Sequence, residues 1–475
     1  MMTMTGRSDY KQASLARTMV READALKFSD LSGAAGDKLK ICLLDFLSCA
    51  FEARDLEWSR QAVGIVGQAA SGATIVGTDI TASPGDAAFA NATMGHGLVR
   101  EDMHAGSIGH HGVVIWPVLL ALAQRRHVSG VQLLTAAAIG YEVGGRLGRA
   151  LFNADLARLF RPTGILGPVV GAVAGSRLLG LGETPAVSAL ALAANGSSGL
   201  NQWPHDGGSD MYFHPGAAAR SAITAIALAE AGAYGSELIL EGEAGLFAAF
   251  RRAPAPQAIT LFPNGEEEIL AVYNKPVPAC NFAQTACQAA LRVAEEIDNI
   301  AAVEHVTVHL PDAAICYPGC DFTGPFERAL QAKMSIQYGV AGALVRKVVD
   351  EDNYRRLDDP DILRIAGIIR LKSDREFTTA FPAAQGAEVE VGLAVGARIS
   401  RRVSDVIPAT EAEVRARFRS GAAGVLGADR ADAIEEAVDR IERSENAGRI
   451  AGMCALTVRG ARSRASVARA ASRGT

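Results

Sequence analysis

Asp86–Ala121 reads DAAFANATMGHGLVREDMHAGSIGHHGVVIWPVLLA. Small apolar residues precede a polar island, and a continuous apolar run follows it. Four of the nine histidines fall here, His96, His104, His110 and His111, with Glu101 and Asp102 in the same loop. The pattern predicts two buried helices joined by a loop dense in titratable groups. Groups that sit close together, partly dry and rigidly backed, have their pKa values driven apart, and acid–base chemistry needs that separation.

Outward from this stretch, residues from about Asp9 to Phe250 read as helix after helix. Broad apolar faces mark Lys38–Ala50, Val113–Ala123, Val131–Leu147, Thr163–Leu179, Pro185–Ala194 and Ala217–Ala231, most of them bounded by Gly, Pro or Ser–Gly. Gly167, Gly171 and Gly175 form a stripe along one of these helices, which lets a neighbouring backbone come close. Past about Pro263 the pattern changes. Val303–Leu310 (VEHVTVHL) alternates as a strand does, and Ile362–Leu371 and Ala387–Val395 also read as strands. Lys333–Val345 is helix-like. Helical signals return at Thr410–Ser420 and Ala431–Arg443. The fold expected is mainly α: a large all-helical domain built from both chain ends (8–264 and 405–457) with an inserted α+β lid domain (265–404). The basic stretch 458–475 has no apolar face and is expected to be a disordered tail.

The composition permits a large core. Of 475 residues, 49% are apolar and 21% charged, and the formal net charge is −5 with both signs mixed throughout. That argues against nucleic acid or an anionic membrane as the main partner. No run reaches the roughly 20 apolar residues of a membrane helix, and the polar N-terminus does not resemble a secretory leader. The seven cysteines are odd in number and scattered, so a reducing cytoplasm is expected rather than a disulfide framework. The only HxxxH pair, His305 and His309, lies on a predicted strand, where residues four apart stand roughly 13 Å from each other. Cys316 and Cys320 lack the further cysteines of an iron–sulfur set. There is no phosphate loop, dinucleotide fingerprint or nucleophile elbow. No metal and no cofactor is expected.

Several blocks taken in order resemble one family: AAFANATMGHGL with GHHGVVIWPVLLALA, FRPTGILGPVVGAVAGSRLLGLG, FHPGAAARSAITAIALAEAGAYG, LEGEAGLFAAF, YNKPVPACNFAQTACQAAL and AKMSIQYGVAGALV. The chain resembles the 2-methylcitrate dehydratase (MmgE/PrpD) family, whose relatives include cis-aconitate decarboxylase and iminodisuccinate epimerase, from about Leu26 to Ala455. The resemblance implies a metal-free cleft between helical domain and lid, and a homodimer. It places His110 at the cleft histidine, Glu101 and Asp102 at the acidic pair before it, Lys275 at a lid lysine and Tyr338 at a lid tyrosine. Four matching positions depart or vary. Val99 replaces an aspartate, Arg161 a histidine and Met211 a lysine, while Cys280 stands where a histidine or cysteine is found.

The catalytic candidates are therefore His110, His104, Asp102, Glu101, Tyr338 and Cys280. Each has a plainer alternative: a capping or core histidine, a helix-capping carboxylate, a packing tyrosine, a buried thiol. The substrate-binding candidates are Arg161, Lys275, His111, His214 and Met211. Arg161 cannot act as a general acid near neutral pH, but it can grip a carboxylate bidentately at a helix start. The expected activity is that of a cofactor-independent lyase of the dehydratase type. It would act on a small polycarboxylate or related hydroxy acid by removing a proton α to a carboxylate. Epimerisation, isomerisation or decarboxylation through the same carbanion-like state is the alternative, and a non-catalytic binding protein on the same scaffold is a third reading.

Overall fold

The computed structural model describes residues 13–394 and 396–456. The fold is mainly α, with a small four-stranded sheet. The segment around the histidine-rich loop forms two buried helices, Pro84–His96 and Gly112–Arg125. Ser83 starts the first by accepting a hydrogen bond from Asp86 N, with Pro84 preset for the first turn. Around them pack Gly33–Ala53, Gly130–Leu151, Pro162–Leu179, Glu183–Ala194 and Asp210–Glu230. The glycine stripe of Pro162–Leu179 sets the spacing. A Cβ on Gly167 would stand 2.9 Å from Ala218 Cβ, one on Gly171 2.8 Å from Ala222 Cβ, and one on Gly175 2.5 Å from Ile226 Cδ1. The helix Asp210–Glu230 can lie that close only because those side chains are missing.

Apolar residues form two large cores and a small cluster of Cys49, Ala53 and Leu98. The larger gathers side chains from Leu15 to Val272 and again from Ala409 to Cys454. The smaller is built from Val277 to Val403, with Trp58, Val99, Trp203, Met211 and Tyr212 reaching into it from the other side. Its sheet runs in the order Ile369–Ser373, Val303–Leu310, Ala387–Leu393, Arg398–Val403. The first pair is parallel, with Val306 opposite Ile369, and the others are antiparallel, with Val308 opposite Val389 and Val389 opposite Arg401. The helices Gln284–Ala294 and Ile336–Arg346 pack together on this unit.

Several sequence expectations are corrected. Ile362–Leu371 is not one strand: Pro360–Ile368 is a helix capped by Asp359, and the strand begins only at Ile369. Its apolar residues Ile362, Ile365 and Ala366 are the buried face of a short helix, a spacing that a brief apolar run does not distinguish from a strand. Lys333–Val345 is two helices, Ala329–Met334 and Ile336–Arg346, which meet at Ser335. The Ser335 hydroxyl caps the second by accepting from Tyr338 N at 2.9 Å. The large body is not all-helical, since Gln68–Thr74 pairs with Thr81–Ala82 and Met103–His104 with Val272–Tyr273. The expected tail 458–475 lies outside the described residues. No helix among the described residues is long and apolar enough to cross a membrane.

Candidate active site

The loop between Pro84–His96 and Gly112–Arg125 is held in an unusual shape. Val99 sits at φ +59° and Ile108 at φ +54°. Both are β-branched residues in the left-handed region, a conformation that costs on the order of 1–3 kcal/mol each and clusters at functional sites. Both line one cavity. The two-residue strand Met103–His104 pairs with Val272–Tyr273. Strand alternation sends Met103 into the cavity and His104 to the opposite side. Farther along, His110 lines the cavity, and His111 turns back toward Ser107 and His104.

The centre of the site is one carboxylate between two imidazoles. Glu101 Oε1 lies 2.5 Å from His96 Nδ1 and 2.9 Å from His110 Nδ1, and the two rings are 5.5 Å apart. His110 Nδ1 is also 3.0 Å from the Asp102 carbonyl. Oxygen acceptors on Nδ1 place the proton there in both rings and leave Nε2 with its lone pair. Arg161 Nη2 stands 3.4 Å from His96 Nε2, on which it can donate only if that nitrogen is unprotonated. Burial, together with the cations of Arg161 and Lys275, pushes the pKa of His96 down and that of His110 down to about 4. Both rings are therefore neutral at pH 7. Burial opposes ionisation of Glu101, but its electrostatic attraction to His96 and His110, and then the hydrogen bonds from their rings, hold its pKa well below the usual carboxylate range. The His110 backbone N–H is anchored on Thr163 Oγ1 at 3.1 Å, in the first turn of Pro162–Leu179.

Two cations face this base. Arg161 is 7% exposed and precedes Pro162 at the start of an 18-residue helix, whose N-terminal N–H groups add positive potential. Its Nε has no hydrogen-bond partner, and no carboxylate of the described residues pairs with it. Lys275 is fully buried, and its ammonium donates to the Val99 carbonyl at 2.5 Å. Burial pushes its pKa down to about 8, and again no described carboxylate forms an ion pair with it. Buried cations are expensive unless they are matched, and two of them beside one cavity, with Glu101 the one carboxylate behind it, leave a positive charge that suits an anion. Cys280 Sγ lies 3.5 Å from Cys320 Sγ. The hydrogen bond from Cys320, then the nearby Lys275 charge, pull the Cys280 thiol pKa down, whereas burial pushes Cys320 up.

Five of the expected residues come together: His110, Arg161, Met211, Lys275 and Cys280 line one cavity of 20 Å³, about the room of a single water molecule. Glu101 stands behind His110. His214 lies alongside. A Cβ on Gly199 would be 3.3 Å from Arg161 Cβ and 3.4 Å from His214 Nδ1. Burial, then Arg161 and His96, push the His214 pKa down to about 4.

The other expected residues are placed elsewhere. Asp102 turns its carboxylate away from the cavity. It accepts from Gly112 N at 3.3 Å and from the Tyr141 hydroxyl, capping the helix Gly112–Arg125, and burial pushes its pKa up to about 7. Gly112 is required there, because a Cβ would stand 2.3 Å from both Asp102 Oδ2 and Tyr141 Oη. His104 Nε2 is 2.6 Å from Glu268 Oε2, and Ser107 Oγ bridges His104 and His111 at 2.8 and 2.7 Å. Tyr338 is removed from the cavity by its own hydrogen bonds: its hydroxyl donates to the carbonyls of Asn353 (2.9 Å) and Arg356 (3.1 Å).

Sequence reasoning missed His96, Asn281 and Tyr317. His96 was visible as the last residue of the small-residue helix, five positions before Glu101. Asn281 and Tyr317 line the cavity from irregular segments that carry no periodic signal. Among the described residues, no group of three or more His, Cys, Asp or Glu is placed to hold a metal ion.

A helical body and an α+β unit with a buried, cation-lined pocket where their residues meet define the class of protein. Within it, the model of the MmgE/PrpD N-terminal domain matches residues 17–258 and that of the C-terminal domain residues 277–443, so the chain belongs to the MmgE/PrpD family. It is 24% identical over 472 residues to a cis-aconitate decarboxylase-like protein of Aspergillus oryzae, covering 88% of this chain and 92% of that protein. It is 23% identical over 461 residues to cis-aconitate decarboxylase of Aspergillus terreus, covering 89% and 92%. Human cis-aconitate decarboxylase matches at 33% identity over 186 residues, 38% of each chain.

Proposed function

We propose that the protein is a cofactor-independent lyase acting next to a carboxylate of a small organic acid. The observation that carries this reading is the cavity-lining His110, held through Nδ1 by Glu101 beside two buried cations that lack a protein carboxylate. In this reading Nε2 of His110 takes the proton α to the carboxylate, and the electron pair moves onto that carboxylate as an enediolate. Arg161 and Lys275 bear its added charge. The pair then returns to form the double bond and expels a β-hydroxyl, which leaves as water after taking a proton from the Cys280 thiol. A positioned base contributes on the order of 10²–10⁴ in rate, and fixed charges in a dry site contribute more. The segment spanning about 265–404 acts as a lid. Ligand pockets run to roughly 300 Å³ and above, so an acid is admitted only when the lid draws back from the body.

Decarboxylation is the second reading, favoured by the names of the relatives matched over most of their length. There, loss of CO₂ generates the same kind of carbanion, and Cys280 delivers the proton to carbon. Incubation with hydroxy and unsaturated acids in D₂O, followed by NMR, separates the outcomes. Dehydration gives vinylic signals. Decarboxylation gives CO₂ and one deuterium in the product. Deuterium in recovered substrate, with neither change, points to epimerisation. If His110→Gln turns over acids as fast as the unmodified protein, the reading is refuted.

A further inference from the structure

We infer that the acid this site takes carries a single carboxylate on an apolar body and is not a tricarboxylate. The inference rests on the reading of the cavity as an acid site and deepens it. The first support is charge. Arg161 and Lys275 are the cations of the cavity wall, and Glu101 stands directly behind with its negative charge. The histidines around it are neutral. With the Cys280 thiol protonated, below its pKa of about 7, two positive charges and one negative leave one positive charge, and one carboxylate balances it. Each further carboxylate would be buried without a counter-charge, which a low-dielectric site penalises heavily.

The second support is the rest of the wall. Val99, Met103, Ile108, Met211, Phe282 and Met334 face the cavity, and none of them has a hydrogen-bond donor for a carboxylate. All six are buried. Thioether chains are unbranched and adaptable, and they close around hydrocarbon rather than around charge. Met211 is fully buried on the helix Asp210–Glu230, one position from Tyr212, which stacks on Trp58 with ring centroids 3.8 Å apart. The polar remainder, Asn281 and Tyr317, suits one hydroxyl or carbonyl oxygen on the same molecule.

The test is a charge ladder on one carbon skeleton, measured by isothermal titration calorimetry with the full chain. The probes are 3-hydroxy-3-methylpentanoate, 3-hydroxy-3-methylglutarate and citrate, with one, two and three carboxylates. The expected order is monoacid over diacid over triacid, with about a tenfold loss or more between the ends. Met211→Lys places a third cation in the wall and is expected to shift the citrate-to-monoacid ratio about tenfold toward citrate. If citrate binds the unmodified protein at least as tightly as the monoacid, the inference is overturned and the acid-site reading stands. Binding of none of the three overturns both. The ladder needs no variant, so it decides the question even if Met211→Lys does not fold.

Discussion

Replacing Lys275 with Met should make the protein more stable at neutral pH while weakening the proposed binding of acids. Lys275 is fully buried and its pKa falls from 10.5 to about 8. At about 1.36 kcal/mol per pH unit, that fall corresponds to about 3 kcal/mol by which folding disfavours the ammonium. The folded pKa lies below the unfolded one, so the folded chain sheds this proton first. The penalty is present in full below about pH 8 and fades as pH rises toward 10.5. Met removes it, but leaves the Val99 carbonyl without the donor that now stands 2.5 Å away, at a cost of about 1–2 kcal/mol. The variant should therefore be more stable by about 1–2 kcal/mol at pH 7 and less stable by about the same amount near pH 10.5. Urea unfolding of both proteins side by side across that range reads the difference, and comparison within each pH cancels every other titrating group. A variant less stable than its parent at pH 7, or a difference that does not change between pH 7 and 10.5, would refute the reasoning. Acid binding, measured on the same samples, should weaken roughly ten- to a hundredfold at pH 7, the range for losing one charge-assisted hydrogen bond.

Three further outcomes are expected. Glu101→Gln removes the anion that fixes the protons on Nδ1 of His96 and His110; turnover should fall by about 10²–10⁴, and ¹⁵N spectra should show mixed histidine tautomers, whereas an unchanged rate would exclude Glu101 from the mechanism. Acid affinity should be level from about pH 5 to 7.5 and then weaken about tenfold per pH unit above 8 as Lys275 loses its proton; the rate should fall below about pH 4, where His110 takes one up, and calorimetry with rate profiles checks both limbs. The pKa of Asp102 is raised from 3.8 to about 7, so its stabilisation is present in full only below about pH 3.8 and is lost as pH rises to about 7; Asp102→Asn should gain on its parent by up to about 4 kcal/mol over that whole window and by about 3 kcal/mol between pH 5 and 8, and parallel unfolding curves at pH 5 and 8 that keep the same separation would count against it.

The helical body was legible because its signals are long and periodic. Lys38–Ala50, Val131–Leu147 and Thr163–Leu179 each lie within an observed helix, and the glycine spacing read from the sequence places one helix against another. The smaller unit was harder to read. Ile362–Leu371 is short and apolar on either reading, and only Asp359 and Pro360 mark it as a helix start. In the site, residue types in the loop announced acid–base chemistry but not direction. His110 and His111 are neighbours, yet one faces the cavity and the other Ser107. Met103 and His104 divide in the same way across a two-residue strand pairing with Val272–Tyr273, a long-range contact that no local pattern foretells. Tyr338 was placed by motif position, but its hydroxyl is held by carbonyls fifteen and eighteen residues on. His96 was in plain view and was passed over, because a histidine inside a small-residue helix reads as core until its partner Glu101 is seen.

Arg161 and Lys275 are held where the protein supplies no carboxylate to match them, and Val99 and Ile108 are held in backbone conformations that β-branched residues avoid. Each feature destabilises the folded chain, and each lies on the same cavity. A core would lose nothing by replacing them with apolar residues and glycine, so their value lies elsewhere. Bringing the lid over two cations is least favourable when nothing negative lies between them, and a carboxylate placed there turns that repulsion into two charge-assisted contacts. In the proposed reading the acid supplies the charge that Glu101 alone does not match, and its binding is coupled to closing the site. Water is then excluded at the moment His110 meets the α-proton, where the same charges act most strongly on the developing enediolate.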